Sequence, residues 1–245
     1  MPNLDWEREQ YLRANAPWTD GDLDGRDRIL AEWGRYRVVF GPFGGVPNEM
    51  ARVVMLGLTP GRSQLKKANE VAREAHHAGI TDPRVISAMT RARVAFAGTM
   101  RTNAIAMLDD LGLNAALRIG SCSAFFEQGN TIANTSSALR YPVFVRKNGI
   151  FVNYGGARSL TREQVFCEML EHLLAPELNA APDALIVPFG PAVESVLDHL
   201  SSKDRLDPER VLRGFPHPSG GNGHRARLFT ANRAAMREAI RAWFR

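Results

Sequence analysis

The sequence predicts an α/β fold with three layers, in which helices cover both faces of a short, mainly parallel central sheet. Two apolar runs, Arg52–Gly57 and Ala184–Phe189, have the composition of strands that are buried on both faces. Strands alternate with segments of helical spacing, and this alternation is typical of a parallel sheet. Ligands bind such sheets beyond the carboxyl ends of the strands, so a functional site is expected in the loops at those ends.

The other elements follow from apolar spacing and from the residues that begin helices. Helices are predicted over residues 63–77, 103–111, 162–174, 191–200 and 225–244. Pro191 suits the first position of its helix, and Thr161 with Gln164 has the spacing of a capping box. Two further strands are predicted over residues 131–133 and 210–215.

Residues 1–50 are predicted to form an N-terminal appendage that packs on a main domain of residues 51–245. The appendage would contain two helices and an extended stretch, near residues 4–14, 23–33 and 36–40. A Gly/Pro cluster at 42–47 would join it to the main domain. A chain of 245 residues with 44% apolar residues can bury a sizeable core.

Composition and charge exclude several classes of protein. No apolar run reaches the roughly 18 residues that span a bilayer, and the charged N-terminus lacks the apolar segment of a secretory signal. Cys122 and Cys167 are too few for a disulfide framework or a cysteine-based metal site, which predicts a cytoplasmic setting. The net charge of +5 and the isoelectric point near 9.6 favour a polyanionic partner. An arginine-rich composition from a GC-rich genome is the alternative explanation.

Two loops after predicted strands contain the main candidate functional residues. The Gly57–Ser63 loop has two glycines, which allow a sharp turn beside a ligand, and it leads to a helix N-terminus that can bind an anion. A plain strand-to-helix turn has the same composition. The Phe215–Arg225 loop holds His217 between two prolines, which fix its position, and ends in basic residues suited to phosphate.

Phe96 and Asn134 are further candidates. The amide of Asn134 can both donate and accept hydrogen bonds, as the edge of a pyrimidine requires, although an asparagine that begins a turn is common. Phe96 has core packing as its alternative role. Arginines recur at 233, 237 and 241 on the last predicted helix, where a solvated face is favoured over a DNA-binding stripe.

In their order along the chain, these segments resemble the motifs of the uracil-DNA glycosylase superfamily. Gly57–Gly61 matches a Gly-x-x-Pro-Gly turn, and Ala95–Gly98 with Leu111–Leu113 matches the Pro-Phe-Val-Gly and Gly-Leu segments of the iron–sulfur branch. Asn134 matches an asparagine after a short strand, and His217–Ser219 matches a His-Pro-Ser motif. The resemblance covers residues 52–245. It implies a uracil-DNA-glycosylase-like fold that flips uracil, or a related damaged base, out of DNA and hydrolyses its N-glycosidic bond.

The resemblance also implies roles for individual residues. Phe96 would stack on the flipped base, and Asn134 would read its Watson–Crick edge. His217 would donate a hydrogen bond to the uracil O2 as negative charge develops there. Thr59 stands where the family positions the attacking water. Gly57 and Leu58 would also contact the base. The phosphates would be bound by five further residues, Pro60, Gly61, Ser63, Ser219 and Arg225.

The chain departs from the family in three places. Several branches have Asp or Asn where this chain has Thr59, and threonine cannot act as a carboxylate base. Two cysteines cannot ligate a cluster that needs four, so neither a metal nor a cofactor is expected. Gly220–Gly223 replaces the apolar wedge that opens duplex DNA, which favours single-stranded or mismatched DNA as the substrate of a monomer.

Two alternatives to a glycosylase stay open. The same fold could bind nucleic acid or a modified base without cleaving it, and Thr59 favours this interpretation. The same pocket could also hydrolyse a free nucleotide or nucleoside. A membrane partner is not expected in any of these cases.

Overall fold

The computed structural model describes residues 28–44, 47–127, 129–156 and 160–245. Their strands are, in chain order, β1 (Ile29–Trp33), β2 (Tyr36–Val39), β3 (Val53–Gly57), β4 (Ala133–Ser137), β5 (Val143–Lys147), β6 (Ile150–Asn153) and β7 (Leu185–Pro188). Their α-helices are α1 (Arg62–His77), α2 (Pro83–Val94), α3 (Thr99–Asp110), α4 (Leu113–Leu117), α5 (Gln164–Met169), α6 (Ala175–Asn179), α7 (Pro191–Ser201) and α8 (Arg225–Trp243). The predicted mixed α/β class is confirmed.

Two compact units divide the chain. The first unit contains the described residues up to 44 together with 59–95 and 139–156. The second unit contains the described residues of 47–58, 96–138 and 160–245. Each unit is therefore assembled from segments that are distant in sequence.

The second unit contains a parallel three-stranded sheet in the order β4-β3-β7. Val53 at the start of β3 pairs with Ala133 on one side and Leu185 on the other. Every residue of β3 and β7 is buried, which explains why both strands are continuous apolar runs without polar alternation. Because the strands are parallel, Gly57 and Ser137 lie side by side at the carboxyl edge.

Two of the predicted strands differ from the structure. The strand predicted over 131–133 begins at Ala133 and continues to Ser137, because its polar residues still pair with the buried β3. The prediction of a strand over 210–215 is wrong. These residues make an isolated bridge from Val211 to Ile186, and Gly214 then leaves the extended conformation with φ +83°.

The helix predicted over 162–174 begins later and is irregular. It starts at Gln164 with Glu163 as its N-cap, so the predicted capping box is wrong, because Gln164 is the first residue of the helix and not its third. A π-helical turn at Leu170–Leu174 joins α5 to α6. Pro176 lies in the first turn of α6 and has no N–H for the regular ladder, so the wider turn stands just before it.

The first unit contains an antiparallel four-stranded sheet in the order β1-β2-β5-β6. Residues 29–33, predicted as the end of a helix, form β1 instead, because Gly34 reverses the chain and β2 pairs back onto them. The extended stretch predicted at 36–40 is confirmed as β2. The rest of that predicted helix, and the one near 4–14, lie outside the described residues.

Helices α1 and α2 belong to the first unit. Leu65 of α1 packs on Val39 and Phe144 of the antiparallel sheet, with Phe43 and Phe151 at the edge of this cluster. The side chain of Asp82 caps α2 by accepting from the N–H of Arg84. None of the helices in the described part of the chain is long and apolar enough to cross a membrane.

Candidate functional site

His217 lies beside the carboxyl end of β7 in the second unit. The N–H of Gly190, two residues after β7, donates to the carbonyl of Phe215 at 3.1 Å. A Cβ at Gly190 would lie 3.0 Å from the Cβ of His217, and Gly190 has φ +93°. Glycine is therefore needed at 190 for both its backbone conformation and the close approach of the histidine.

The loop around His217 is held by side chains. The three consecutive carbonyl groups of residues 217–219 each accept a hydrogen bond, in order from Asn222 at 3.0 Å, Asn103 at 2.8 Å and Arg225 at 2.7 Å. Prolines on both sides of the histidine also fix their own φ angles. The imidazole is thus mounted on a rigid loop. Arg225, predicted to bind phosphate, directs one guanidinium nitrogen to the loop itself.

The imidazole of His217 is held in one protonation form. Ser219, predicted to bind phosphate through its side chain, donates its backbone N–H to Nδ1 of the ring at 3.3 Å. This bond places the proton of the neutral ring on Nε2. Burial lowers the pKa of His217 from its ordinary value of 6.5, because desolvation penalises the cation. Near neutral pH the ring is therefore an uncharged donor through Nε2–H.

Phe96 forms a row of aromatic rings with Phe189 and Phe215. Its centroid lies 4.5 Å from that of Phe189, which in turn lies 5.7 Å from that of Phe215. Its ring is so close to Gly57 that a Cβ there would lie 2.8 Å from Cε1. Phe96 has φ +53°, which is strained for a bulky residue and is held by this packing. With 5% of Phe96 exposed, the ring is mainly a core element with a small accessible surface.

Ser137 also lies beside Gly57 and was not among the residues that the sequence singled out. It is the last residue of β4, and its Oγ would lie 3.7 Å from a Cβ at Gly57. The half-buried hydroxyl can both donate and accept a hydrogen bond. The parallel pairing of Ser137 with Gly57 was the signal that could have identified it, but this required the correct end of β4.

Asn134 lies away from this edge. It is the second residue of β4 and pairs with Val54, so it lies three residues before Ser137, roughly 10 Å along the strand. Its Oδ1 accepts from the N–H of Asn48 at 3.1 Å, and its Nδ2 donates to the Asn48 carbonyl at 3.0 Å. The amide of Asn134, which was expected to donate to a base and accept from it, instead makes both hydrogen bonds with the backbone of Asn48. The structure does not bring Asn134 together with His217.

The hydroxyl of Thr59 is engaged within the first unit. Its Oγ1 donates to the carbonyl of Tyr141 at 2.9 Å and accepts from the N–H of Val143 at 3.1 Å. A hydroxyl has one proton, so Thr59 cannot also donate to an attacking water. Thr59 therefore anchors the start of β5, and its predicted catalytic role has no free donor to support it.

The remaining part of the Gly57–Ser63 loop begins α1. The N–H of Gly61 donates to Oε1 of Gln64 at 2.9 Å, and the next N–H along the chain donates to Oδ1 of Asn153 at 2.9 Å. Two N–H groups that could have bound a phosphate are thus satisfied by side chains of the same unit. Of the other predicted contacts in this loop, Leu58 is half-buried, Pro60 is buried and Ser63 is exposed.

The arginines of α8 have a structural partner. Arg233 forms an ion pair with the carboxylate of Asp110 at the end of α3, and Arg237 donates to the carbonyl of the same residue at 2.5 Å. Arg241 is exposed. Two of the three predicted positions therefore hold α8 against α3 while their side chains stay partly exposed.

Neither a metal site nor a reactive thiol stands out among the described residues. Within the described ranges, no group of three His, Cys, Asp or Glu side chains is placed to hold a metal ion. Cys122 and Cys167 are free thiols, and burial raises the pKa of both. A raised thiol pKa disfavours the nucleophilic thiolate, so His217 stays the best candidate for chemistry.

Comparison with known proteins shows a family. The chain is 34% identical over 208 residues to the uncharacterized protein YoxB of Bacillus subtilis strain 168, a match covering 84% of this chain and 79% of YoxB. The chain belongs to the YoxB family. No protein-family model matches it, and no solved structure matches it. Membership of the YoxB family assigns no reaction, so the chemistry has to be inferred from the side chains at the sheet edge.

Proposed function

We propose that the protein is a DNA N-glycosylase with a fold related to the uracil-DNA glycosylase superfamily, and that it releases uracil or a related damaged base. One observation carries the proposal: Nδ1 of His217 accepts a backbone N–H, burial lowers the pKa of the ring, and the ring stands on a rigid loop at the carboxyl edge of a parallel sheet. This is the edge at which such sheets bind ligands. The basic net charge of the chain suits a nucleic acid partner.

In the proposed reaction, His217 stabilises the leaving base. The electron pair of the bond between N1 and the sugar C1′ moves onto the base, and negative charge develops at O2. The Nε2–H of His217 donates to this oxygen, and a neutral donor that is already oriented costs no reorganisation during the reaction. Water then adds its hydroxide to C1′, and its proton neutralises the released base.

Ser137, Gly57 and Phe96 would form the rest of the base site. The ring of Phe96 and the hydroxyl of Ser137 both lie within 4 Å of the position that a Cβ of Gly57 would take. A single hydroxyl makes fewer hydrogen bonds to a base than a carboxamide does, so the site would tolerate several damaged bases. We therefore expect a broader substrate range than uracil alone.

The glycine run after Ser219 favours substrates that are easily unstacked. A Cβ at Gly220 would lie 3.2 Å from the hydroxyl of Thr99, whereas Gly221 and Gly223 face open space. Such a loop has no apolar side chain to insert between bases. Single-stranded and mismatched DNA are thus the preferred substrates, because their bases cost less to unstack.

The experiment measures release of uracil from a single-stranded oligonucleotide and from a duplex with a U·G mismatch. Replacing His217→Ala should lower the rate by about 10²–10³-fold, as expected for loss of one preorganised donor. The matched control is His224→Ala, which removes an exposed imidazole from the same loop and should keep the wild-type rate. Absence of release by the wild-type protein, or equal rates for both variants, would reject the proposal. Free deoxyuridine monophosphate, tested alongside, separates a nucleotide hydrolase from a DNA glycosylase.

A binding module is the second candidate, and a specific observation favours it. The hydroxyl of Thr59 is engaged by β5, and the residues of the base site (Gly57, Phe96, Ser137 and His217) include no carboxylate that could activate water. In this case the wild-type protein would bind a uracil-containing oligonucleotide more tightly than its thymine counterpart and leave no abasic product. Loss of that preference in His217→Ala would place the binding at the same site.

A further inference from the structure

We propose that the first unit has its own contact for the phosphate backbone of nucleic acid, at one end of its antiparallel sheet. The contact, called here the hairpin patch, consists of Arg146, Lys147 and Ile150. It adds a second binding surface to the proposed function. The inference depends on that function only in taking DNA as the polyanion.

The sheet topology brings these residues together. Asn148 and Gly149 both have positive φ, +48° and +82°, which makes the tight turn that joins β5 to β6. Lys147 lies opposite Ile150 across this turn. The N–H of Arg146 donates to the carbonyl of Arg35 at 2.7 Å, so the turn between β1 and β2 meets the same end of the sheet.

The hairpin tip extends beyond its neighbouring strand. Pairing of β2 with β5 ends at Tyr36 and Val145, and the next two residues of β5 pair only with β6 among the described strands. Lys147 is exposed, and Ile150 is 65% exposed. The exposed side chains of Lys147 and Ile150, beyond the last β2–β5 pair, can contact an extended polymer.

Within the described strands at this end of the sheet, basic residues outnumber acidic ones. Residues 29–37 and 143–153 contain four cations, Arg35, Arg37, Arg146 and Lys147, against one carboxylate, Glu32. Glu32 is held by Arg37 through Nε and Nη2, both at 2.9 Å, and lies 3.9 Å from Arg146. Glu32 therefore pairs mainly with Arg37. Arg146 and Lys147 are both exposed and carry positive charge at the hairpin tip.

Arg146 is oriented in advance for binding. Two guanidinium groups lie over the ring of Phe151, that of Arg37 at 3.9 Å from the centroid and that of Arg146 at 4.8 Å. Stacking on an aromatic ring restricts a long side chain, so less entropy is lost when it meets a phosphate. Ile150 adds an apolar contact for a sugar or a base. Cations beside one apolar side chain on a narrow hairpin fit a nucleic acid strand better than a lipid surface, which requires a larger apolar area.

The test measures binding of a fluorescent, uracil-free single-stranded oligonucleotide by anisotropy over a range of salt concentrations. Each phosphate contact contributes about 0.7 to the slope of log K against log salt for single strands, so Arg146→Gln with Lys147→Gln should lower the slope by roughly 1.4. The matched control is Lys203→Gln with Arg205→Gln, which removes the same charges from an exposed turn after α7 and should keep the wild-type slope. Ile150→Ser should weaken binding with an unchanged slope.

The outcomes separate this inference from the proposed function. A wild-type slope for the hairpin variant, or an equal fall for the control, overturns the hairpin patch. So does a hairpin variant that loses binding to anionic lipid vesicles but keeps its binding to the oligonucleotide. A normal thermal unfolding curve shows that the variants are folded. A hairpin-dependent slope without uracil release by the wild-type protein would keep the hairpin patch and reject the glycosylase. Uracil release by the wild-type protein, together with a wild-type slope for the hairpin variant, would keep the glycosylase and reject the hairpin patch.

Discussion

The loop at 215–225 and the loop at 57–63 differ in how their polar groups are used. In the 215–225 loop, neighbouring side chains bind the backbone carbonyl groups, and the Nε2 of His217 is left as a donor. In the 57–63 loop, the hydroxyl of Thr59 and the N–H of Gly61 are both satisfied within the first unit. A loop is suited to chemistry when its own backbone is held by other groups, so that its reactive side chain stays available.

The largest effect in this comparison is expected at Gly57. In Gly57→Ala the new Cβ would lie 2.8 Å from the ring of Phe96, which is buried and cannot move away easily. Overpacking should cost about 1–3 kcal/mol of stability. A shift of the base site by about 1 Å should also lower the rate of uracil release by roughly 10²-fold. Chemical denaturation and uracil release measure the two effects.

The control for this substitution is Gly221→Ala. A Cβ at Gly221 meets nothing within 4 Å, so stability should stay within about 0.5 kcal/mol of the wild-type value. Equal behaviour of the two variants would show that contact with Phe96 is not what requires glycine at 57.

Thr59 gives the second prediction, on stability alone. Thr59→Val removes the hydrogen bonds to the Tyr141 carbonyl and from the Val143 N–H, which should cost about 1–3 kcal/mol in the free energy of unfolding. Thr59→Ser keeps the hydroxyl and should lose much less. Uracil release by the folded Thr59→Val protein should match the wild-type rate. A large loss of rate in a folded variant would return Thr59 to the catalytic residues.

The third prediction concerns the clamp on His217. Asn222→Ala removes the donor to the His217 carbonyl, a bond worth about 1 kcal/mol, and the acceptor of the His224 N–H at 3.1 Å, and should lower the rate of uracil release by about tenfold. The control Asn114→Ala removes a similar side-chain bond, to the carbonyl of Gly120 at 3.2 Å. It should cost similar stability without changing the rate. If both variants slow release equally, the clamp has no specific role.

The success of sequence-based prediction depended on whether the relevant interaction was local. The apolar runs of β3 and β7 and the periodicity of α1 and α8 are local signals, and these elements were predicted within a few residues. β1 was missed because its partner strand supplies the hydrogen bonds, which a local helical pattern does not reveal. β4 was predicted too short because its polar residues are stabilised by pairing with β3.

The candidate site follows the same principle. His217 could be identified because the prolines beside it are adjacent in sequence. The partners of Thr59 are Tyr141 and Val143, 82 and 84 residues away, so no local pattern indicates that its hydroxyl is occupied. Asn134 was expected beyond a strand end because the end of β4 was misjudged by several residues. That same error concealed Ser137.

The smallest expected effect is a pH dependence of stability that His217 contributes. Its pKa in the folded protein is depressed by burial relative to about 6.5 in the unfolded chain, so the folded state binds fewer protons. The stability from this group is fully present above about pH 6.5 and is lost as the pH falls through the folded pKa. Protonation also occupies Nδ1, which can then no longer accept the N–H of Ser219.

Chemical denaturation between about pH 7.5 and 5.5 tests this dependence. The wild-type protein should lose stability over this range more steeply than His217→Gln, which cannot take up the proton. His224→Gln removes an exposed imidazole from the same loop and should follow the wild-type curve. Parallel curves for wild type and His217→Gln would mean that the imidazole is not held neutral by its surroundings. The loop would then lose the property that distinguishes it from the 57–63 loop.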